Sequence, residues 1–130
     1  MKERIGLVLI FSIFLFSCTK KNEPITIAPD DFHNAVDKVI EVMIHDIFSP
    51  PGASRIFAYP NIAAYEILAL QENEYVSLAN QVTDFTAIPT PGKTGTVNHE
   101  LAALIAHMEL SKRLIFSEDR IEAYRDSLYT

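Results

Sequence analysis

The chain has 130 residues, which is enough for one small domain and no more. Its net charge is −6, and its 11 lysine and arginine residues do not gather on one face. Because nucleic-acid binding needs a basic surface, we expect no nucleic-acid partner. Cys18 is the single cysteine, so the composition excludes an internal disulfide.

The N-terminal segment has the form of a secretory signal. Lys2 and Arg4 form a short basic region, and residues 5–17 form an apolar run. As a helix, this run spans roughly 20 Å, which is shorter than a hydrocarbon core of about 30 Å, so it suits a cleaved signal better than a membrane span. The run ends in "LFSC", which resembles a bacterial lipobox and predicts lipidation of Cys18. A plain signal or membrane anchor with an incidental cysteine is the alternative.

We therefore predict a signal peptide over residues 1–17, a polar, proline-containing tether over residues 18–30, and an N-terminal helical region over residues 31–130. Lipidation would leave no free thiol for metal binding or nucleophilic catalysis. The expected partner is the membrane, through the lipid on Cys18. The expected location is the bacterial cell envelope, on the periplasmic or outer-membrane face.

The helical region is predicted to be all-α, because apolar residues recur every three or four positions and no segment alternates with a period of two. The first helix begins at Asp30 or Asp31, either of which can cap it, and ends before Pro50. The second helix covers about residues 53–70. A shorter segment, over residues 72–82, is expected to form two or three helical turns.

A long loop over residues 83–96 separates these elements from two further predicted helices. Ser117 is expected to cap the last helix, since serine is a favoured N-cap residue. The third helix presents an apolar face formed by Val97, Leu101, Leu104, Ile105, Met108 and Ile115, and the last helix one formed by Ile121, Tyr124 and Leu128.

Two residues of the second helix need a physical explanation. Pro60 lies in the middle of the helical pattern, where proline lacks an N–H and costs about 3 kcal/mol. Arg55 shares a face with Glu66, so it could point inward and brace the helices by pairing with Asp46 or Glu66. A solvated arginine at the edge of the helix is the alternative.

No motif in the chain predicts catalysis. The stretch "AIPTPGKT" resembles a phosphate-binding loop only at its last three residues, and it lacks the leading glycine and the preceding strand. Serines have no base at a recognisable spacing. The sequence therefore predicts no catalytic residue.

The histidines do not predict a metal site either. His99 and Glu100 begin like a zinc-protease helix, but Ala103 occupies the position of the second histidine. His99 and His107 share a helix face at a separation of about 12 Å, which is too far for one ion. The four histidines are expected to be ordinary surface or boundary residues: His33, His45, His99 and His107.

The stretch "SPPGASRIFAYPNIAAYEIL", preceded by "IHDIF", resembles the N-terminal helical region of bacterial vanadium-dependent haloperoxidase-like proteins. These belong to the superfamily of type 2 phosphatidic acid phosphatases. The resemblance implies a helical-bundle fragment in which Pro60 is a bend in a packed helix, since neighbours can satisfy the freed carbonyl. It rests on Pro50, Pro51, Ala53, Ser54, Arg55, Ala58, Ile62, Ala63, Tyr65 and Glu66.

The anion site of that superfamily is built from a lysine before an Arg-Pro, a Pro-Ser-Gly-His segment, and a Ser-Arg followed by a histidine. None of these occurs in the chain. The resemblance thus implies the non-catalytic part of a phosphatase or haloperoxidase, inactive alone, with vanadate as a cofactor only at full length. Its expected partners are missing C-terminal helices, since the chain ends at Thr130 within a predicted helix. The alternative is a complete small helical envelope lipoprotein acting as a binding or structural module.

Overall fold

The computed structural model describes residues 25–71, 74–90, 92 and 97–129. The predicted signal peptide, Cys18 and most of the predicted tether lie outside these residues. The described residues form four helices and no strand, so the predicted all-α class is confirmed. The helices are α1 (Pro29–His45), α2 (Pro50–Leu68), α3 (His99–Lys112) and α4 (Glu118–Ser127). None of the described helices is long and apolar enough to cross a membrane.

Both of the first two helices begin at a proline, earlier than predicted. Pro29, which we placed in the tether, is the first residue of α1, and Ala28 is its N-cap. The Asp31 carboxylate accepts the Ala28 backbone N–H at 2.7 Å. Pro50 opens α2, although we expected that helix to start near Ala53. A proline suits this position because the first helical N–H has no intrahelical partner to lose.

Helix α2 continues through Pro60 without breaking. Pro60 is buried on the same face as Ile56 and Ala64. Next to the proline, the Asn61 side chain donates a hydrogen bond to the Phe57 carbonyl at 2.7 Å. The proline therefore faces the protein interior, where packing can offset the hydrogen bond that it cannot make.

The helices pack around α3. Helix α2 lies mainly against α3, and α1 and α4 contact each other and α3. The start of α1 and the start of α3 lie at the same end of the helical region. There the Asn98 side chain donates a hydrogen bond to the Ile25 carbonyl at 2.7 Å. The core cluster consists of Ala35, Val39, Val42, Met43, Ile56, Leu104, Met108, Ile115 and Ile121.

The prediction of a short helix over residues 72–82 is wrong, because the described part of that segment forms turns, bends and irregular backbone. Helix α2 holds this segment through side chains. The Tyr65 hydroxyl donates to the Val76 carbonyl at 2.9 Å. The buried Glu66 carboxylate accepts the Ser77 hydroxyl at 2.6 Å and the Leu78 N–H at 2.7 Å. These tertiary bonds replace the helical hydrogen bonds that we expected.

Candidate functional site

Arg55 does not brace the helices. It is exposed, and none of its contacts within the described residues is an ion pair or hydrogen bond. Both carboxylates that we considered as partners are bound elsewhere: Asp46 to the start of α4, and Glu66 to the segment after α2. The structure therefore places Arg55 at the edge of α2, as in the second of our two alternatives.

Asp46 joins the end of α1 to the start of α4. Its carboxylate accepts the backbone N–H groups of Phe116 at 2.9 Å and Ser117 at 3.0 Å, and the Ser117 hydroxyl at 2.5 Å. Desolvation raises the pKa of the Asp46 carboxyl, but the hydrogen bonds from Ser117 and Phe116 outweigh it, and the pKa is lowered from its ordinary value.

This junction corrects the capping role that we gave to Ser117. Ser117 occupies the N-cap position of α4, but its side chain makes no capping hydrogen bond to the helix. Its hydroxyl donates to Asp46 instead. Because the two residues lie 71 positions apart, no local sequence pattern could have indicated the contact.

The four histidines occupy different environments. His33 and His45 are exposed, and His99 is half-buried. His107 is 1% exposed, its ring centroid lies 5.0 Å from that of Phe32, and its Nδ1 atom has no hydrogen-bond partner. Burial lowers the pKa of His107 to about 4, so its imidazole is neutral at neutral pH. His107 is thus a core residue, not the boundary residue that we expected.

The described residues do not fit vanadate or phosphate. An oxyanion site needs several unpaired cations or N–H donors that converge on one point. Most of the described cations instead pair with carboxylates, and no group of three or more histidine, cysteine or acidic residues in the described part could hold a metal ion. The pairs are Lys38 with Glu41, Lys112 with Glu122, Arg120 with Glu41, and Arg125 with Glu109 and Asp126.

Two of the grooves in the described part of the chain run along helices. One, of about 310 Å³, lies between the N-terminal segment and α3, and Asp31 and Arg125 are among its lining residues. The other, of about 420 Å³, lies between α2 and α3, and its lining is almost entirely apolar. In the first groove Arg125 is ion-paired and the Asp31 carboxylate accepts the Ala28 N–H, so both of these charged side chains already have partners within the protein.

Among the described residues, the three most exposed large apolar side chains lie at or beside the α1–α2 turn. Ile44 is 73% exposed, Ile47 is 87% exposed and Phe116 is 78% exposed. The Phe116 ring stacks on Phe48, with centroids 4.8 Å apart and planes at 16°. We call these four residues, Ile44, Ile47, Phe48 and Phe116, the tip cluster. Because exposed apolar clusters in proteins often mark contact surfaces, the tip cluster is a candidate interface.

Comparison with known proteins finds a similarity to a solved structure. No protein-family model matches the chain, and no curated protein matches it. Among solved structures, the chain is similar to a bacterial vanadium-dependent iodoperoxidase, with 65% sequence identity and a TM-score of 0.81. The alignment covers 84% of this chain but only 27% of the iodoperoxidase chain.

This similarity agrees with the resemblance that the sequence suggested. The identity is high, and the helices superpose over most of the chain. The chain spans 27% of the length of the solved protein, so it corresponds to a part of that structure. The described helices are therefore a region of the vanadium-haloperoxidase-like helical fold.

Proposed function

We propose that this chain is the non-catalytic helical part of a larger, lipid-anchored protein of the vanadium-haloperoxidase type. The observation that carries the proposal is the match to an iodoperoxidase at 65% identity over 27% of that protein's length. We favour a haloperoxidase over a phosphatase because the similar solved protein is an iodoperoxidase.

In such a protein these helices act as a scaffold, and the reaction takes place elsewhere. When bound in a haloperoxidase, vanadate would supply the activation of peroxide. The described residues offer no group of cations that could converge on vanadate, because most of the described lysine and arginine side chains are ion-paired with carboxylates. We therefore assign the vanadate site, and the oxidation of a halide such as iodide, to the part of the protein outside this chain.

The lipid anchor is a separate part of the proposal. It is supported by the basic N-terminus, the short apolar run and the lipobox-like "LFSC". Lipid on Cys18 would hold the helical region at the bacterial cell envelope, through a tether that ends where α1 begins at Pro29.

A chimera tests the scaffold role. Residues 25–129 of this chain replace the matching segment of the iodoperoxidase, and iodide oxidation is measured with vanadate and peroxide. We expect the chimera to be active, and residues 18–130 alone, with Cys18→Ser, to be inactive. A chimera without vanadate is the control for background oxidation.

Either of two results would contradict the proposal. The first is an inactive, unfolded chimera, because a 65% identical segment of the same fold should be interchangeable. The second is vanadate-dependent turnover by residues 18–130 alone. The DNA that follows the last codon gives an independent test, since we expect it to encode Lys…Arg-Pro, Pro-Ser-Gly-His and Ser-Arg…His motifs in some frame. Their absence would favour the complete small lipoprotein.

A further inference from the structure

The tip cluster combines high exposure with an unusual backbone. Ile47 has a φ of 55°, in the left-handed region that β-branched residues rarely adopt. The Phe48 N–H donates to the Met43 carbonyl and the Ile47 N–H to the Ile44 carbonyl, both at 3.2 Å. This is the Schellman pattern that ends many helices, and glycine usually occupies the position of Ile47.

An isoleucine at that position is unfavourable for the helical region by itself. It adds backbone strain, and its side chain gains nothing from burial because it is 87% exposed. Strain that is kept at an exposed apolar residue points to a contact that the described residues do not contain.

The tip cluster is also held in a defined position. Asp46, next to Ile47 in the chain, binds Phe116 and Ser117, and Phe48 stacks on Phe116. These contacts fix the end of α1 relative to the start of α4. A preorganised apolar surface loses little conformational entropy when another element packs on it.

We propose that the tip cluster is the surface on which the remainder of the full-length protein packs; this inference rests on the proposed function. The alignment covers only 27% of the iodoperoxidase, so the greater part of that chain is available to cover it. An intramolecular contact avoids most of the entropy cost of association, so it can be small.

The size of the surface argues against a second copy of this chain as the occupant. Three exposed side chains of this kind offer at most roughly 600 Å². A stable interface between two proteins buries about 800 Å² on each partner. The tip cluster alone is therefore too small to hold a homodimer together.

The position of the surface argues against a lipid membrane. Ile25, from which the predicted tether leads to Cys18, lies beside the start of α3 at the opposite end of α1. A helix of 17 residues separates the two ends by about 25 Å. The exposed acidic residues Glu118 and Asp119 also begin α4 next to the tip cluster, where they would repel anionic lipid.

The experiment measures solvent access in the chimera described above. Ile47→Cys is labelled with a maleimide, and the rate of labelling is measured by mass spectrometry of the labelled peptide. Val76→Cys is the matched control, since Val76 is 68% exposed and lies outside the tip cluster. We expect Ile47→Cys to react with the maleimide at least about ten times more slowly than Val76→Cys, because the remainder of the protein would bury it.

A second measurement uses polar variants. The double variant Ile44→Gln and Ile47→Thr keeps the β-branch at position 47, so the backbone strain there is unchanged and only apolar side-chain surface is removed. We expect it to lower the thermal midpoint of the chimera by several degrees, whereas Val76→Gln leaves the midpoint unchanged. Equal labelling rates or equal midpoints in an active chimera would overturn the tip interface and leave the proposed function standing. An inactive, unfolded chimera would overturn both.

Discussion

At the scale of single residues, His107 and Ile47 each occupy an unfavourable environment. His107 is buried with an unpaired Nδ1 atom, and Ile47 occupies a backbone conformation that suits glycine. Each environment has a measurable consequence for stability. Both can be tested in residues 18–130 carrying Cys18→Ser.

Burial of His107 should make stability fall in mild acid. Its pKa is lowered from 6.5 to about 4, so the unfolded chain binds a proton that the folded chain excludes. Stability is therefore fully present above pH 6.5 and decreases as the pH falls toward 4. We expect a loss of about 2 kcal/mol between pH 6.5 and 5, measured by urea unfolding.

The control is His107→Leu, which removes the titrating group and leaves the exposed His33 and His45 in place. Its free energy of unfolding should depend much less on pH over the same interval. An equal pH dependence in the two proteins would show that His107 is not the group responsible.

Ile47→Gly should stabilise the helical region. Glycine adopts a φ of 55° without steric cost, and the exposed isoleucine side chain contributes no burial to be lost. We expect a gain of about 1 kcal/mol in the free energy of unfolding. Ile47→Val is the control, because it keeps the β-branch and should show no gain. If Ile47→Gly is destabilising, the strain argument fails.

At the scale of secondary-structure elements, the junction between α1 and α4 joins distant parts of the sequence. Asp46 follows α1, and its carboxylate binds the N–H groups that precede α4. A carboxylate at the start of a helix also interacts favourably with the helix dipole. The orientation of α4 therefore depends on a side chain from another helix.

Asp46→Ala should destabilise the chain by about 1–2 kcal/mol, because it removes this cap and leaves two N–H groups without a partner. Asp37→Ala is the matched control, since Asp37 is an exposed α1 carboxylate. Chemical denaturation followed by circular dichroism gives the comparison. Equal losses in the two variants would show that the junction contributes nothing specific.

At the scale of the whole molecule, the similarity to part of an iodoperoxidase and the predicted lipid anchor are the two bases of the setting that we propose for the helices. The alignment covers 27% of the solved protein, and the exposed tip cluster lies far from the predicted tether. In the arrangement that we propose, one end of the helical region is joined to the lipid and the other contacts the remainder of the protein.

The anchor is tested by metabolic labelling with a clickable fatty acid. We expect labelling of the wild-type protein to be lost in Cys18→Ala, with the unprocessed precursor accumulating, because the thiol is the site of lipid attachment. Labelling that survives the substitution would remove the lipoprotein proposal. Cleavage without labelling would indicate a plain secretory signal.

The sequence by itself determined the all-α class and the helix in which Pro60 lies. These follow from apolar residues at helical spacing, which is a local property of the chain. The resemblance based on "SPPGASRIFAYPNIAAYEIL" likewise needed only the order of residues, and the comparison with the iodoperoxidase agrees with it. The helix starts were less accurate, because Pro50 can either end a helix or open one.

Only the tertiary structure decided which polar groups meet. Asp46 binds residues that lie 70 and 71 positions away in the chain. Glu66 accepts the Ser77 hydroxyl and the Leu78 N–H, and does not pair with Arg55. The Schellman turn at Ile47 could not be predicted from the sequence, because the glycine that usually marks such a turn is absent. Local patterns report the face that a helix buries, but the partner of a buried carboxylate depends on which elements the fold brings together.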